Sequence, residues 1–208
     1  MKTFTRNYTP VRMIMMLFSM LPMGVAVALF EMAAFGNNPF SSMGMALSAF
    51  TGVSFGTMTL IINIVLFVVQ LSLGRHLFNI GTVINMVVVG YIAEFTLRLF
   101  PFSPDMTGRI ILLIVSVLVL SLGASLYFTA DLGVAPYDAM AFIIQKYSKL
   151  PYWISRVMTD VVCVAVCIAF GGVFGIGTVI SAFCLGPFIS FFNKYVSEKI
   201  IAAGEKTN

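Results

Sequence analysis

Charged residues are scarce in this 208-residue chain, at 10% of the composition against 60% hydrophobic residues. Soluble domains average about 25% charged residues, so the composition excludes an ordinary soluble protein and predicts an integral membrane protein. The formal net charge of +4 comes from Lys and Arg that lie almost wholly between or outside the apolar runs. It therefore bears on orientation in the membrane, and we expect no nucleic-acid partner.

Histidine and cysteine are also rare, and their scarcity removes several kinds of chemistry. A chain with the single histidine His76 has neither a zinc-binding His pair nor a Ser/His catalytic set. The three cysteines, Cys163, Cys167 and Cys184, fall inside apolar runs and form no disulfide-like framework. We interpret them as small buried apolar residues. We therefore expect no bound metal and no cofactor.

The chain is an internal duplication. The motif Gly133-Val-Ala-Pro-Tyr-Asp-Ala-Met140 has a weaker copy, Gly36-Asn-Asn-Pro-Phe-Ser-Ser-Met43, and Ile80-Gly-Thr-Val-Ile84 recurs identically as Ile176-Gly-Thr-Val-Ile180. A period of about half the chain indicates two halves that build one unit. We predict a single membrane domain over residues 1–208, with repeats over 11–100 and 108–197.

Six apolar runs approach the length of about 20 residues that a membrane-spanning helix needs. They are residues 13–30, 57–74, 77–93, 110–130, 157–172 and 173–193. This gives three predicted spans in each half. Only the fifth run is interrupted by a charge, at Asp160.

A shorter segment lies between the first and second span of each half, over residues 39–50 and 136–150. A helix over the first would cover about 18 Å, against a hydrocarbon core of about 30 Å. We predict short re-entrant or interfacial helices that begin at Pro39 and Pro136, because proline is favoured at the first helical position. Asn38 is a good N-cap for the first, and Gly36 and Gly133 form the preceding turns.

Three spans per half is an odd number, so the halves must be inverted relative to each other. The predicted fold is an all-α polytopic helix bundle with a three-plus-three inverted repeat and one short helix per half. With both termini cytoplasmic, only Arg98 and Arg109 of the 12 Lys and Arg lie outside. An eight-span model with parallel halves leaves only Arg75 outside, so helix length and not charge favours six spans.

Three motifs in the second half carry a resemblance to a known family. They are Ala130-Asp-Leu-Gly-Val-Ala-Pro-Tyr-Asp138, Gly171-Gly-Val-Phe-Gly-Ile-Gly-Thr178 and Leu185-Gly-Pro187. In this combination the chain resembles the bacterial YczE/YyaS/YitT family of integral membrane proteins. The resemblance implies a multi-pass protein of the bacterial plasma membrane and supplies no reaction. The chain departs from the family pattern at Phe40 and Tyr137, where Trp is usual, and at Ser41, where Asp is usual.

The first candidate for chemistry is Asp160, whose repeat mate is Asn63. A carboxylate at the centre of a spanning helix costs about 2.5 to 3.5 kcal/mol on insertion scales, so it suggests a function. Alternatively, Asp160 and Asn63 only bond a neighbouring helix. Arg156, one helical turn earlier, would turn Asp160 into a structural ion pair if its side chain reaches the carboxylate.

Further candidates lie near the turns. Asp138, in the first turn of the second short helix, either offsets the helix dipole or binds a solute, together with Asn38 and Ser41 of the first short helix. Thr82 and Thr178 follow glycines at the entry to the last span of each half. They either bind solute or cap their helices, and we favour the capping role.

Two functions fit these residues. The first is a small-solute transporter or facilitator, coupled to a cation or proton, with its site between the two short Gly-x-x-Pro helices. The second is a non-transporting accessory protein for a biosynthetic or export system. A polar cavity near Asp138, Asp160 and Asn63 would favour the first. The expected partners are the bilayer and an unidentified solute, and oligomerisation stays open.

An enzyme is not expected. Tyr137-Asp138 and Gly175-Ile-Gly177 are similar to motifs of intramembrane aspartyl proteases, which need a second acid directly after the glycines. Thr178 occupies that position. Without two facing carboxylates that share a proton, the aspartyl mechanism fails.

Overall fold

A computed structural model of the chain describes residues 8–100 and 104–205, and no strand occurs within these ranges. A 3-10 turn at Arg75–Leu77 precedes the fourth helix, and a π-helical turn at Asn193–Ser197 joins the last two. The helices are α1 (Pro10–Ala33), α2 (Pro39–Thr51), α3 (Phe55–Leu73), α4 (Ile80–Leu99), α5 (Met106–Ala130), α6 (Pro136–Ser148), α7 (Tyr152–Ala169), α8 (Ile176–Phe192) and α9 (Glu198–Glu205).

Within the described residues, five helical segments are long and apolar enough to cross a membrane. They are α1, α3, α4, α5 and the continuous segment Ile176–Gly204. The sixth predicted span, over residues 157–172, corresponds to α7 and is not among them. Helix α7 has 18 residues, about 27 Å of helix, and carries both Arg156 and Asp160, so the sixth span stays a prediction.

The short helices begin where the sequence predicts. Pro39 and Pro136 are the first residues of α2 and α6, and the Asn38 side chain accepts a hydrogen bond from the Ser41 backbone N–H at 3.1 Å. The start of α4 differs from the prediction, because Asn79 caps this helix and Ile80 is its first residue.

Helices α1 and α5 form the largest contact in the bundle and run antiparallel. The guanidinium of Arg109, at the start of α5, donates to the carbonyl oxygens of Ala33 and Ala34, both at 2.8 Å. At the opposite end, Arg12 donates to the carbonyl of Ala130 at 3.3 Å. Arg12 and Arg109 are repeat mates, so each half binds the end of the other half's first helix.

The last long helix of each half runs parallel to the first helix of that half. In α4, Gly81 lies against Met16 and Asn85 contacts Met20, both on α1. In α8, Gly177 lies against Leu113 near the start of α5. Because α1 and α5 are antiparallel, α4 and α8 point in opposite directions.

The loops after α1 and α5 also make reciprocal contacts, each with a helix of the other half. The Gly81 N–H donates to the Leu132 carbonyl at 2.8 Å, and the Gly177 N–H donates to the Phe35 carbonyl at 2.7 Å. Each loop therefore satisfies a backbone donor at the first turn of the other half's last long helix, where such donors have no partner within their own helix.

The short helix α2 starts inside the protein. After α1 ends, the chain turns back, and the Asn37 side chain donates to the Val27 carbonyl at 2.8 Å, about 9 Å before the end of α1. Both Pro39 and Pro136 are buried. Non-helical backbone at membrane depth is tolerated where protein covers it, and the burial of both prolines satisfies this condition.

Candidate functional site

A cavity of about 1110 Å³ lies between the two short helices. Residues from each of the helices α1 to α8 line it. Five of the predicted binding residues are among them: Asn38, Ser41, Asn63, Asp138 and Asp160. The first turns of α2 and α6 thus reach the same space, although they are far apart in the sequence.

Five charged residues line the cavity, and three of them, Asp138, Arg156 and Asp160, form a cluster that is called here the charged cluster. The other two are Asp131 and Lys146. The Nη1 of Arg156 donates to Asp138 Oδ1, and its Nε lies 3.6 Å from Asp160 Oδ1. Arg156 and Asp160 are one turn apart on α7, which places them on the same face, while Asp138 reaches them from the first turn of α6.

Tyr137 completes the cluster. Its hydroxyl donates to Asp160 Oδ1, and the guanidinium of Arg156 lies 4.4 Å from the centre of its ring. Asp160 is 7% exposed, and Tyr137 is equally buried. Paired charges are the form in which buried ionic groups are tolerated. With both carboxylates ionised, the charged cluster carries one net negative charge.

The first half contributes a neutral face to the same cavity. The repeat alignment pairs Phe40 with Tyr137, Ser41 with Asp138, Thr59 with Arg156 and Asn63 with Asp160, and all eight residues line the cavity. The rings of Phe40 and Tyr137 stack with their centres 4.6 Å apart, so these two mates meet directly. The neutral face consists of Phe40, Ser41, Thr59 and Asn63.

Within the neutral face, Thr59 has an unusual hydroxyl. Its side chain is 6% exposed, and its Oγ1 has no hydrogen-bond partner among the described residues. A buried hydroxyl without a partner costs about 1 to 3 kcal/mol, so most are satisfied. The hydroxyl of Thr59 can therefore bind a polar group inside the cavity.

The two predicted threonines of the last spans do not line the cavity. The Oγ1 of Thr82 donates to the Val134 carbonyl at 2.9 Å and completes a capping box with Asn79. Thr178 is 1% exposed, and its Oγ1 has no partner among the described residues. Both threonines lie behind the loops that precede the short helices. They are therefore placed to support these loops and helices.

These loops need the turn glycines. Gly36 and Gly133 have φ angles of 90° and 113°, which L side chains rarely adopt. A Cβ on Gly36 would lie 2.5 Å from Thr178 Oγ1, and one on Gly133 would lie 2.7 Å from Thr82 Oγ1. The glycines let each loop approach the last long helix of the other half.

Sequence reasoning missed Tyr137 and Thr59 as site residues and treated Arg156 only as a complication for Asp160. The repeat alignment contained the signal, because the shift that pairs Asn63 with Asp160 also pairs Thr59 with Arg156. The described residues hold no group of three or more His, Cys, Asp or Glu side chains that could bind a metal ion.

The five candidate spans and this interior site define a multi-pass membrane protein. The chain belongs to the DUF6198 family, a family of unknown function whose model matches residues 10–194. It is similar to the uncharacterized membrane protein YczE of Bacillus subtilis, at 27% identity over 172 residues, which is 82% of this chain and 79% of the relative.

Two further relatives align over similar lengths. An uncharacterized protein of Haemophilus influenzae is 24% identical over 85% of this chain and 81% of its own length. The uncharacterized protein YyaS of Bacillus subtilis is 22% identical over 80% of this chain and 84% of its own length. No solved structure matches the chain. These relatives support a YczE/YyaS-like membrane protein.

Proposed function

We propose that the protein is a small-solute transporter or facilitator whose binding site lies between the first turns of α2 and α6. The observation that carries the proposal is the cavity of about 1110 Å³, which Asp138, Asp160 and Asn63 line together. Ionisable residues inside membrane proteins face such cavities and mark solute or ion pathways. A solid apolar bundle at these residues would instead have favoured the accessory role.

The proposed architecture is a three-plus-three inverted repeat in the bacterial plasma membrane, with α7 as the second span of its half and both termini in the cytoplasm. The antiparallel packing of α1 and α5 and the exchanged contacts of Arg12 and Arg109 support it. Transporters of this kind bind solutes at the repeat interface, where broken helices end. Helices α2 and α6 supply such ends here.

The charged cluster provides the proposed coupling. Asp160 faces Tyr137 and Asp138 from α6 and Arg156 and Cys163 from its own helix. One monovalent cation or one proton neutralises the net negative charge of this cluster. Loading and release of that charge would alternate with solute binding, without any catalytic step.

Proteoliposomes that hold a trapped pH-sensitive dye test this function. A panel of small organic solutes is added outside, and proton movement is followed by fluorescence. We expect at least one solute to drive proton movement in wild-type vesicles and to lose this effect in Asp160→Asn, which copies Asn63 and removes only the charge. Glu31→Gln is the matched control, since Glu31 is an exposed acid on α1 that does not line the cavity.

Two results would contradict the proposal. Proton coupling that is equal in Asp160→Asn and wild type would remove Asp160 from the mechanism. Failure to detect saturable flux of any solute, in vesicles whose protein is folded by circular dichroism, would favour the non-transporting accessory role.

A further inference from the structure

We propose that the solute is an amphipathic monocation that enters the cavity from the bilayer, through a gap between α7 and α8. This inference rests on the proposed function, because it specifies the solute of the same site. The gap is bordered by Val157 on α7 and by Ala182, Phe183 and Gly186 on α8, all of which line the cavity. We call it the open seam.

The open seam has a closed counterpart in the first half. Helices α3 and α4 pack closely, and a Cβ on Gly90 would lie 3.1 Å from the Thr59 Cβ and 3.4 Å from the Gly56 Cα. Among the described residues, α7 and α8 share no comparable contact surface. A Cβ on Gly186, the mate of Gly90, would meet no atom within 4 Å.

The open seam faces the outside of the bundle, at positions that a spanning helix presents to lipid. Phe183 is 70% exposed and Val157 is 40% exposed, yet both line the cavity. Phe183 lies within the apolar segment Ile176–Gly204. The cavity therefore opens toward the hydrocarbon of the bilayer, which concentrates amphipathic molecules and excludes small hydrophilic ones.

The charge of the solute follows from the charged cluster. Two carboxylates share one guanidinium, and all three groups are largely buried, with side-chain exposures of 28% for Arg156, 13% for Asp138 and 10% for Asp160. A monocation balances the remaining negative charge, whereas an anion would add a second unbalanced charge in a poorly solvated site.

The rest of the cavity fits an apolar tail. On the side of the open seam the lining includes Leu120 and Phe128 from α5 and Leu185 and Ile189 from α8. An alkyl or aryl tail buried there contributes about 0.8 kcal/mol for each methylene removed from water. The bound solute would thus be one extended amphipathic molecule. Its polar head lies at the charged cluster, deepest in the cavity, and its apolar tail lies along α8.

The test uses purified protein in phosphatidylcholine nanodiscs, with empty nanodiscs to subtract lipid partitioning. The probes are radiolabelled decyltrimethylammonium, decanoate of the same chain length but opposite charge, and tetramethylammonium, which has the head group alone. Ala182→Phe obstructs the open seam at an exposed position. Val179→Phe adds the same ring to a lipid-exposed position of α8 outside the cavity lining.

We expect saturable binding of decyltrimethylammonium and none of decanoate. Ala182→Phe should slow the association of decyltrimethylammonium by about tenfold or more, because the added ring obstructs its route, and leave tetramethylammonium binding unchanged. Val179→Phe should change neither probe. Asp160→Asn should weaken both cations, because both need the charged cluster.

Other results would overturn the inference. Equal binding of decanoate would reject the amphipathic cation, and decyltrimethylammonium association that Ala182→Phe does not slow would reject the lateral route. In either case, tetramethylammonium binding that depends on Asp160 would preserve the site itself. Absence of saturable binding for both cations would reject the cationic site as well. An oligomer that Ala182→Phe dissociates, with no probe bound to wild type, would assign the open seam to a second copy of the chain.

Discussion

The two halves of the molecule differ in how the helix after the short helix packs on the last long helix. In the first half α3 packs on α4 through Gly56 and Gly90, and the Gly56 N–H donates to Glu94 at 2.9 Å. In the second half the equivalent positions are Trp153, Gly186 and Ser190, and the open seam takes the place of the packed contact. The loop contacts at Gly81 and Gly177 are alike in the two halves, whereas the contact of α3 with α4 has no comparable counterpart between the described residues of α7 and α8.

The cavity walls contributed by the two halves also differ in charge. The first half supplies the neutral face, whereas the second half supplies the charged cluster at equivalent positions. The first half therefore forms a closed, uncharged wall, and the half with the open seam also holds the charged cluster. Two identical halves would show neither this difference in charge nor this difference in packing.

The largest expected effect comes from removing the cation that joins the two carboxylates. Arg156→Thr copies Thr59 and should cost about 3 kcal/mol of stability, because two buried carboxylates lose their shared counter-charge. Thermal unfolding of the purified protein measures it. The triple variant Arg156→Thr, Asp138→Ser, Asp160→Asn copies the whole neutral face and should recover most of the loss. A triple variant as unstable as Arg156→Thr alone would show that charge balance is not what stabilises this wall.

A smaller effect is expected from overfilling the closed seam. Gly90→Leu should cost about 2 kcal/mol, because even a Cβ at this position would lie 3.1 Å from the Thr59 Cβ. Ala182→Leu, an exposed position of the open seam, should change stability by less than about 0.5 kcal/mol. The midpoints of thermal unfolding compare the two. Equal losses would mean that both seams are packed in the membrane.

The smallest expected effect is a difference in stability between variants of Thr82 and Thr178, the two threonines behind the loops. Thr82→Val should cost about 1 kcal/mol, because it removes the hydroxyl that donates to the Val134 carbonyl. Thr178→Val should be neutral or slightly stabilising, since the buried Oγ1 of Thr178 has no partner in the described part of the chain. Unfolding midpoints of both variants test this. A larger loss for Thr178→Val would reveal a partner for its hydroxyl.

The sequence by itself determined the features that depend on neighbouring residues. Composition and apolar runs identified a membrane protein, and the motif copies predicted a duplication and marked the turn glycines. Pro39 and Pro136 marked the starts of α2 and α6, and Asn38 marked a cap. Each of these signals is local, because proline geometry, N-capping and left-handed turns involve only a few consecutive residues.

Only the tertiary structure decided which distant residues meet. It brought Arg156 between Asp138 and Asp160, and it stacked Phe40 on Tyr137 across the two halves. It also packed α3 on α4 and formed no comparable contact between the described residues of α7 and α8. It gave the Thr82 hydroxyl a partner, whereas that of Thr178 has none among the described residues. These outcomes depend on packing between helices, where residues far apart in the sequence compete for the same space, and no local pattern encodes that competition.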